Sequence, residues 1–311
     1  MTPRISVVVP TRDRPDSLAA LLQALRVQSL PAEDFELIVV DDGSADSPLM
    51  AHEQQPTQLI RHERSRGPGA ARNTGWRAAR APVIAFIDDD CVPGANWLAA
   101  LLDAHSAAGS EWTIVQGRVE PDPAKRCELG PLSHTIEVSG PDRLFACANI
   151  AYSRALLDRL GGFDERLSRS GEDVDLGARA LEAGADAVFS AEALVYHAVS
   201  QPGLPSLLRH TLKWTDSVRV LSMHPELRDL LVGRVFWKRT HPLFLLAVVG
   251  LLSRRPALAA GACLPYIAHY RRLYRGQLGR LATALPIHAA VDATELATVL
   301  AGSVRYRTLM L

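Results

Sequence analysis

Several things that this chain has little of narrow its roles. Only four cysteines, Cys91, Cys127, Cys147 and Cys263, occur in 311 residues. They are scattered, with no CxxC pair and no histidine at zinc-type spacing, so reduced, structural cysteines are expected and a zinc site is not. No GxGxxG run follows the first apolar segment, which argues against a dinucleotide-binding oxidoreductase. The one similar run, Gly67-Pro68-Gly69-Ala70-Ala71-Arg72, comes after the third expected strand and lacks the last glycine. No nucleic-acid motif and no interleaving of aromatic and basic residues occurs, so nucleic acid is not an expected partner. Met1-Thr2-Pro3-Arg4 leads directly into a short apolar strand instead of a longer hydrophobic leader, and the expected location is the cytoplasm.

Net charge is absent too, since 34 Lys+Arg balance 34 Asp+Glu, but the balance conceals an asymmetry. Residues 1–200 carry 19 basic against 29 acidic side chains, whereas residues 201–311 carry 15 against 5. The C-terminal part is therefore expected to meet something anionic, either a membrane surface or the acidic first part of the chain. With about 150 residues per domain as a guide, the length allows one large domain or two smaller ones.

What the chain does have is a short apolar run that ends in three carboxylates, Val83-Ile84-Ala85-Phe86-Ile87-Asp88-Asp89-Asp90. β-Branched and aromatic residues bounded by Pro82 read as a strand buried on both faces, with the acids at its carboxyl end. Ligands of open α/β sheets bind outside such ends, and three adjacent carboxylates repel unless a cation or a hydrogen-bond donor takes up the charge. Asp88 and Asp90 are read as facing a ligand, with Mg²⁺ or Mn²⁺ and phosphate oxygens as the fitting partners. A solvated acidic turn is the alternative.

The remaining segments alternate. Ile5 to Pro10, Phe35 to Asp42 and Thr57 to His62 read as strands; Asp16 to Gln28 and Ala70 to Arg80 read as helices. Such alternation implies right-handed βαβ crossovers and a mostly parallel sheet. Pro10-Thr11-Arg12, Asp41-Asp42 and Asp88-Asp89-Asp90 then end side by side along one crevice. A helix over Ala95 to His105, strands over Trp112 to Glu120, Phe145 to Tyr152 and Ala187 to His197, and a helix opening at Gly171-Glu172-Asp173-Val174-Asp175 complete the first part. Acids in that first helical turn, Asp175 among them, also have a capping explanation. The boundary is placed at Gln201-Pro202-Gly203.

In order, VVVPTRDR, IVVDDGS, RGPGAARNTG, AFIDDD and GEDVDL resemble the family-2 glycosyltransferases over about residues 4–200. The resemblance implies a GT-A, Rossmann-like sheet flanked by helices. It also implies transfer of a sugar from a nucleoside diphosphate donor, UDP-, GDP- or dTDP-linked, with inversion. On the same basis Pro10, Thr11 and Asp42, with Asp41 beside it, line a nucleoside pocket, and Asp88 to Asp90 form the metal and ribose site. Asp173 matches the catalytic base, and His197 a metal-ligand position.

The residue chemistry is consistent with that assignment. A cation bridging diphosphate oxygens stabilises the charge that develops as the bond to the sugar breaks, and Asp90 is the first choice to hold it. Asp88 can accept from ribose hydroxyls and Asp42 from a base N–H. Arg72 and Asn73 are expected either to contact phosphate or sugar, or to be a surface arginine and a buried structural asparagine. An attacking hydroxyl needs a carboxylate to take its proton, and Asp173 fits that role, with Glu172 as substitute. A sugar nucleotidyltransferase and a non-catalytic nucleotide-binding scaffold are the rival readings.

Residues 201–311 are expected to form a helical, basic extension resting on the cytoplasmic membrane face, near a lipid-linked or polysaccharide acceptor. Leu204, Leu207, Leu208, Leu212, Thr215 and Val218 recur at helical spacing, with Arg209, Lys213 and Arg219 off the stripe. Leu243 to Leu252 is continuously apolar but only about half the ~20 residues needed to span a bilayer. Packing of these helices on the catalytic domain or on a second subunit is the alternative to membrane contact.

Overall fold

The computed structural model describes residues 2–46 and 56–311. It divides into two compact units, Met1–Leu129 with His134–Ser200, and Gly130–Ser133 with Gln201–Leu311.

The first unit is built on one eight-stranded sheet. Its strands are β1 (Ile5–Thr11), β2 (Phe35–Asp41), β3 (Gln58–Arg61), β4 (Val83–Phe86), β5 (Cys91–Pro93), β6 (Thr113–Pro121), β7 (Ile150–Ser153) and β8 (Asp186–His197). They are ordered β3-β2-β1-β4-β7-β6-β8-β5. β3, β2, β1 and β4 run parallel, β7 is antiparallel to both its neighbours, β8 runs parallel to β6, and β5 pairs antiparallel with β8. This is the mostly parallel α/β sheet expected from the alternating pattern. Helices α1 (Pro15–Arg26), α2 (Pro68–Ala78), α3 (Trp97–Ala108), α4 (Arg154–Leu160) and α5 (Glu172–Glu182) accompany it. Leu18, Leu21, Leu22 and Leu25 of α1 and Leu98 and Leu101 of α3 share one apolar core with Val7 and Val9; Val8, Ile84 and Phe86 share another with Trp76 of α2 and Leu176 of α5. Both faces of β1 and β4 are thus covered, which is why their sequences are uninterruptedly apolar instead of alternating. α2 lies so close to β1 that a Cβ at Gly75 would collide with Val8 Cγ1.

Two expectations shift. Residues 145–149 are not strand: Phe145 has a positive φ of 50°, and its ring is buried against Gly177 of α5, so pairing begins only at Ile150. β5 and α4 were not anticipated, since a three-residue strand and a seven-residue helix are too short to show a period.

In the second unit α6 (Leu204–Thr211), α7 (Trp214–Met223), α8 (Thr240–Leu252), α9 (Pro256–Leu273) and α10 (Leu278–Tyr306) follow in order. The stripe read as one interfacial helix is broken between α6 and α7. Both helices pack against α10, where Val218 is buried over Gly302. α7 therefore turns its apolar stripe to α10, within the same unit. Among the described residues only α10 is long and apolar enough to cross a membrane by length and composition. Yet its Asp292 and Glu295 are buried in a polar network. Asp292 accepts from Thr240 Oγ1 at 3.0 Å, Tyr266 Oη at 2.7 Å and Tyr270 Oη at 3.1 Å. Glu295 takes Trp214 Nε1 at 3.1 Å and Lys238 Nζ at 2.7 Å, with His241 Nε2 at 3.2 Å.

Three hydroxyl groups from α8 and α9 thus depend on one carboxylate of α10. Asp292→Ala would remove the acceptor they share and leave them buried with only one another as partners, and urea unfolding followed by circular dichroism should show a loss of about 1–3 kcal/mol. A loss under about 1 kcal/mol would mean that the network adds nothing to the packing.

Candidate active site

The parallel register sets Thr11 opposite Asp41 and Val8 opposite Phe86, so the carboxyl ends of β1, β2 and β4 share one edge. Pro10 sits partly exposed within that end of β1, and Arg12, just beyond it, is largely exposed with Asp13 at 3.4 Å.

The three acids after β4 have separate fates. Asp88 accepts from Arg72 at 2.7 Å and keeps part of its surface open. Asp89 is buried; it accepts from Thr11 Oγ1 at 2.8 Å and from Arg14 at 3.0 Å. Burial outweighs these partners and pushes its carboxyl up to about 6. Asp89 and Thr11 therefore brace the strand ends against each other. Asp90 takes the second bond from Arg14 at 2.7 Å and lies 3.6 Å from His197 Nε2.

The meeting of Asp90 and His197 follows from β5, which pairs Cys91 directly with His197. The His197 ring is oriented by its other nitrogen, Nδ1, 2.8 Å from the Ala198 carbonyl. A carbonyl can only accept, so Nδ1 carries the hydrogen and Nε2 is the nitrogen turned toward Asp90. With Cys91 these two residues bring ligand atoms within 4.8 Å of one another. One carboxylate and an imidazole held by a backbone carbonyl have the chemistry of a divalent-cation site.

At the end of β2 the two acids also differ. Asp42 takes bonds from His62 Nδ1 at 2.7 Å, Ser65 Oγ at 2.6 Å, the Arg66 amide at 2.9 Å and the Gly67 amide at 2.9 Å. Those donors hold its carboxyl below the ordinary range despite burial. These bonds engage both of its oxygens and fasten the 62–67 segment to the end of β2. Asp41 Oδ1 binds Ser44, whereas Oδ2 is buried with no hydrogen bond.

Arg72 ties the carboxyl end of β4 to the start of α5. Its guanidinium donates to Asp88 and, at 2.7 Å, to Glu172 at the start of α5, and its charge lies over the Phe163 ring. It is buried, as is Asn73, whose amide bonds Phe163 O, the Phe163 amide, Glu165 and Trp76 Nε1. For Asn73 the buried structural reading is the one the geometry supports; Arg72 is a buried bridge and not a surface arginine. Glu172 is likewise committed, with Oε1 on Arg72. Asp173 is the partly exposed acid of the pair. Burial and then the Glu172 charge push its carboxyl up to about 7, against the pull of Arg72. Asp175 is taken by Arg179 at 2.7 Å, a pairing within the helix.

Arg14 and Cys91 were missed as site residues. The signal for Arg14 lay in the charge itself: three adjacent carboxylates require cations nearby, and Arg14 and Arg72 supply them.

A parallel α/β sheet with acidic strand ends at one edge, facing the start of an acidic helix, defines a domain of the GT-A type. Residues 6–155 match the family Glycosyl transferase family 2. The chain is similar to the pre-mycofactocin glycosyltransferase of Mycobacterium tuberculosis, at 35% identity over 62% of this chain and 42% of that protein. It is also similar to glycosyltransferase AglE of Haloferax volcanii, at 25% identity over 82% of this chain and 83% of that one. The chain thus spans less than half the length of the first of these relatives. Among solved structures, the fold resembles mannosyltransferase PcManGT from Pyrobaculum calidifontis, in complex with GDP-Man and Mn²⁺, with TM-score 0.60, 18% identity and coverage of 97% and 87% of the two chains. It also resembles residues 1–349 of S. aureus TarS in complex with UDP-GlcNAc, with TM-score 0.53, 20% identity and coverage of 99% and 93%.

Removing the buried bridge should be costly. Arg72→Ala leaves Glu172 and Asp88 without their cation, with an expected stability loss of about 3–5 kcal/mol by thermal or urea denaturation. A variant as stable as the parent would show that water replaces the guanidinium at no cost.

Proposed function

We propose that the chain is a glycosyltransferase that moves a sugar from a nucleoside diphosphate to an acceptor hydroxyl with inversion. The observation that carries this reading is the Arg72 bridge, which joins Asp88, on the nucleotide side, to Glu172 beside the raised carboxyl of Asp173. Donor and base sites are thereby held next to each other across one guanidinium. The GDP-Man and UDP-GlcNAc named for the two structural neighbours support a nucleotide-sugar donor.

A Mg or Mn ion, when bound, would be held by Asp90 with Asp88 and His197, and would supply positive charge to the leaving diphosphate. The mixed oxygen and imidazole set favours Mn²⁺ over Mg²⁺. Pro10, Thr11 and Asp41 line the nucleoside pocket, Arg12 lies at its mouth, and Asp42 and Asp89 shape its walls. The second oxygen of Asp88 accepts from a ribose hydroxyl. Asp173 takes the proton of the acceptor hydroxyl as that oxygen attacks the anomeric carbon on the face opposite the departing diphosphate, which inverts the centre. The acceptor is a lipid-linked or polysaccharide hydroxyl of the cell envelope, met at the cytoplasmic face of the membrane.

Asp173→Asn should retain donor binding by calorimetry and lose transfer by about 10² to 10⁴; loss of donor binding instead would move Asp173 to the donor site. Asp90→Asn should fold normally and lose divalent-dependent nucleotide binding, and unchanged affinity would refute the assignment of the cation.

The pH profile tests the same base. With Asp173 at about 7, turnover should fall about tenfold per pH unit below 7 and level off above it; an ordinary carboxylate would leave it flat down to about pH 5. Stability has the opposite sign. Because the folded-state value lies above the ordinary 3.8, ionising Asp173 destabilises the fold as pH rises from about 4 to 7, and Asp173→Asn should melt no lower than the parent at pH 8.

A further inference from the structure

A group of exposed apolar side chains in the second unit lies on neither the stripe of α6 and α7 nor the candidate site. It is the hairpin of α8 and α9. Leu246, Val249, Leu251 and Leu252 on α8, and Leu258 and Leu264 on α9, are 47 to 74% exposed. The hairpin is nevertheless well formed: Gly250 meets Ala262 so closely that a Cβ there would collide, and Ala247, Tyr266 and Tyr270 are buried with Leu281 in a small core. Its outer leucines are thus a presented face and not a poorly packed one.

The charge around that face has one sign. Between Asp229 and Asp292 the chain contains no Asp or Glu. Arg254 and Arg255 stand exposed in the turn of the hairpin, and Arg271, Arg272 and Arg275 stand exposed at its other end. An aliphatic surface bounded at both ends by arginines is complementary to a bilayer with anionic headgroups, where the leucines enter the acyl boundary and the guanidinium groups reach the phosphates. A second copy of the same face would oppose arginines to arginines. At 13 and 18 residues, neither helix reaches the ~20 apolar residues needed to span.

We infer that the α8–α9 hairpin lies in the plane of an anionic membrane and is the element through which the second unit docks there. This deepens the location given in the proposed function, but donor binding reports on the catalytic reading independently. The test is co-sedimentation of the full chain with vesicles of phosphatidylcholine containing 30% phosphatidylglycerol, and with pure phosphatidylcholine, at low and high salt. The parent should bind the anionic vesicles, and binding should weaken as salt rises. Leu251→Ser with Leu252→Ser should reduce it at least tenfold, and Arg254→Gln with Arg255→Gln by about fivefold per arginine. Both variants should keep the parent melting temperature and nucleotide affinity, since the four side chains are exposed. Absence of binding by the parent, or binding that neither variant changes, would overturn the proposal. So would a concentration-dependent dimer that the leucine variant dissociates in the absence of vesicle binding, which would assign the face to a second copy of the chain.

Discussion

The buried guanidinium of Arg72 is the interaction on which the candidate site depends. Its two bonds, to Asp88 and to Glu172, join residues 84 positions apart and neutralise two carboxylates that would otherwise lie close together without a cation between them. A buried cation so placed is costly unless its partners are held geometrically, and here the sheet edge and the start of α5 hold them. The same charge restrains Asp173, whose carboxyl would rise further without it. One side chain thereby ties Asp88 to Glu172 and tempers the rise that burial and the Glu172 charge impose on the proposed base.

The strand ends show a division of labour among like residues. Of the five acids at the ends of β2 and β4, Asp42 and Asp89 are consumed by hydrogen bonds that fix loops and strands. Asp88 and Asp90 retain exposed surface, and each is balanced by a single arginine, Arg72 or Arg14. Local charge repulsion is thus relieved by cations from elsewhere in the chain, which allows an acidic cluster to persist at the edge of an apolar sheet.

Much of this was legible in the sequence because it rests on local pattern. The uninterrupted apolar strands, the helices between them and the acids at their ends follow from periodicity, and the parallel order follows from the crossovers. What was not legible depends on contacts between distant segments. Asp42 looked like a free acceptor because nothing local reveals that the amides of Arg66 and Gly67 fold back onto it. Asn73 was open to a ligand contact or a structural role, and only the 163–165 segment, distant in sequence, shows its amide engaged. His197 is brought to Asp90 by β5, a strand of three residues without a period of its own. In the C-terminal unit the amphipathic stripe was visible, but its partner α10 was not, since a stripe alone does not distinguish a helix partner from a membrane.

In the proposed function the acidic strand ends bind a nucleoside diphosphate together with a divalent cation. Calorimetric titration of the full chain with UDP, GDP and dTDP, with Mn²⁺ and then with excess EDTA, tests it most directly. One of the three should bind in the presence of Mn²⁺, raising apparent stability by about 2.7 kcal/mol at 100-fold its dissociation constant, and binding should be lost in EDTA. Binding that EDTA leaves unchanged, or no binding of any of the three, would contradict it.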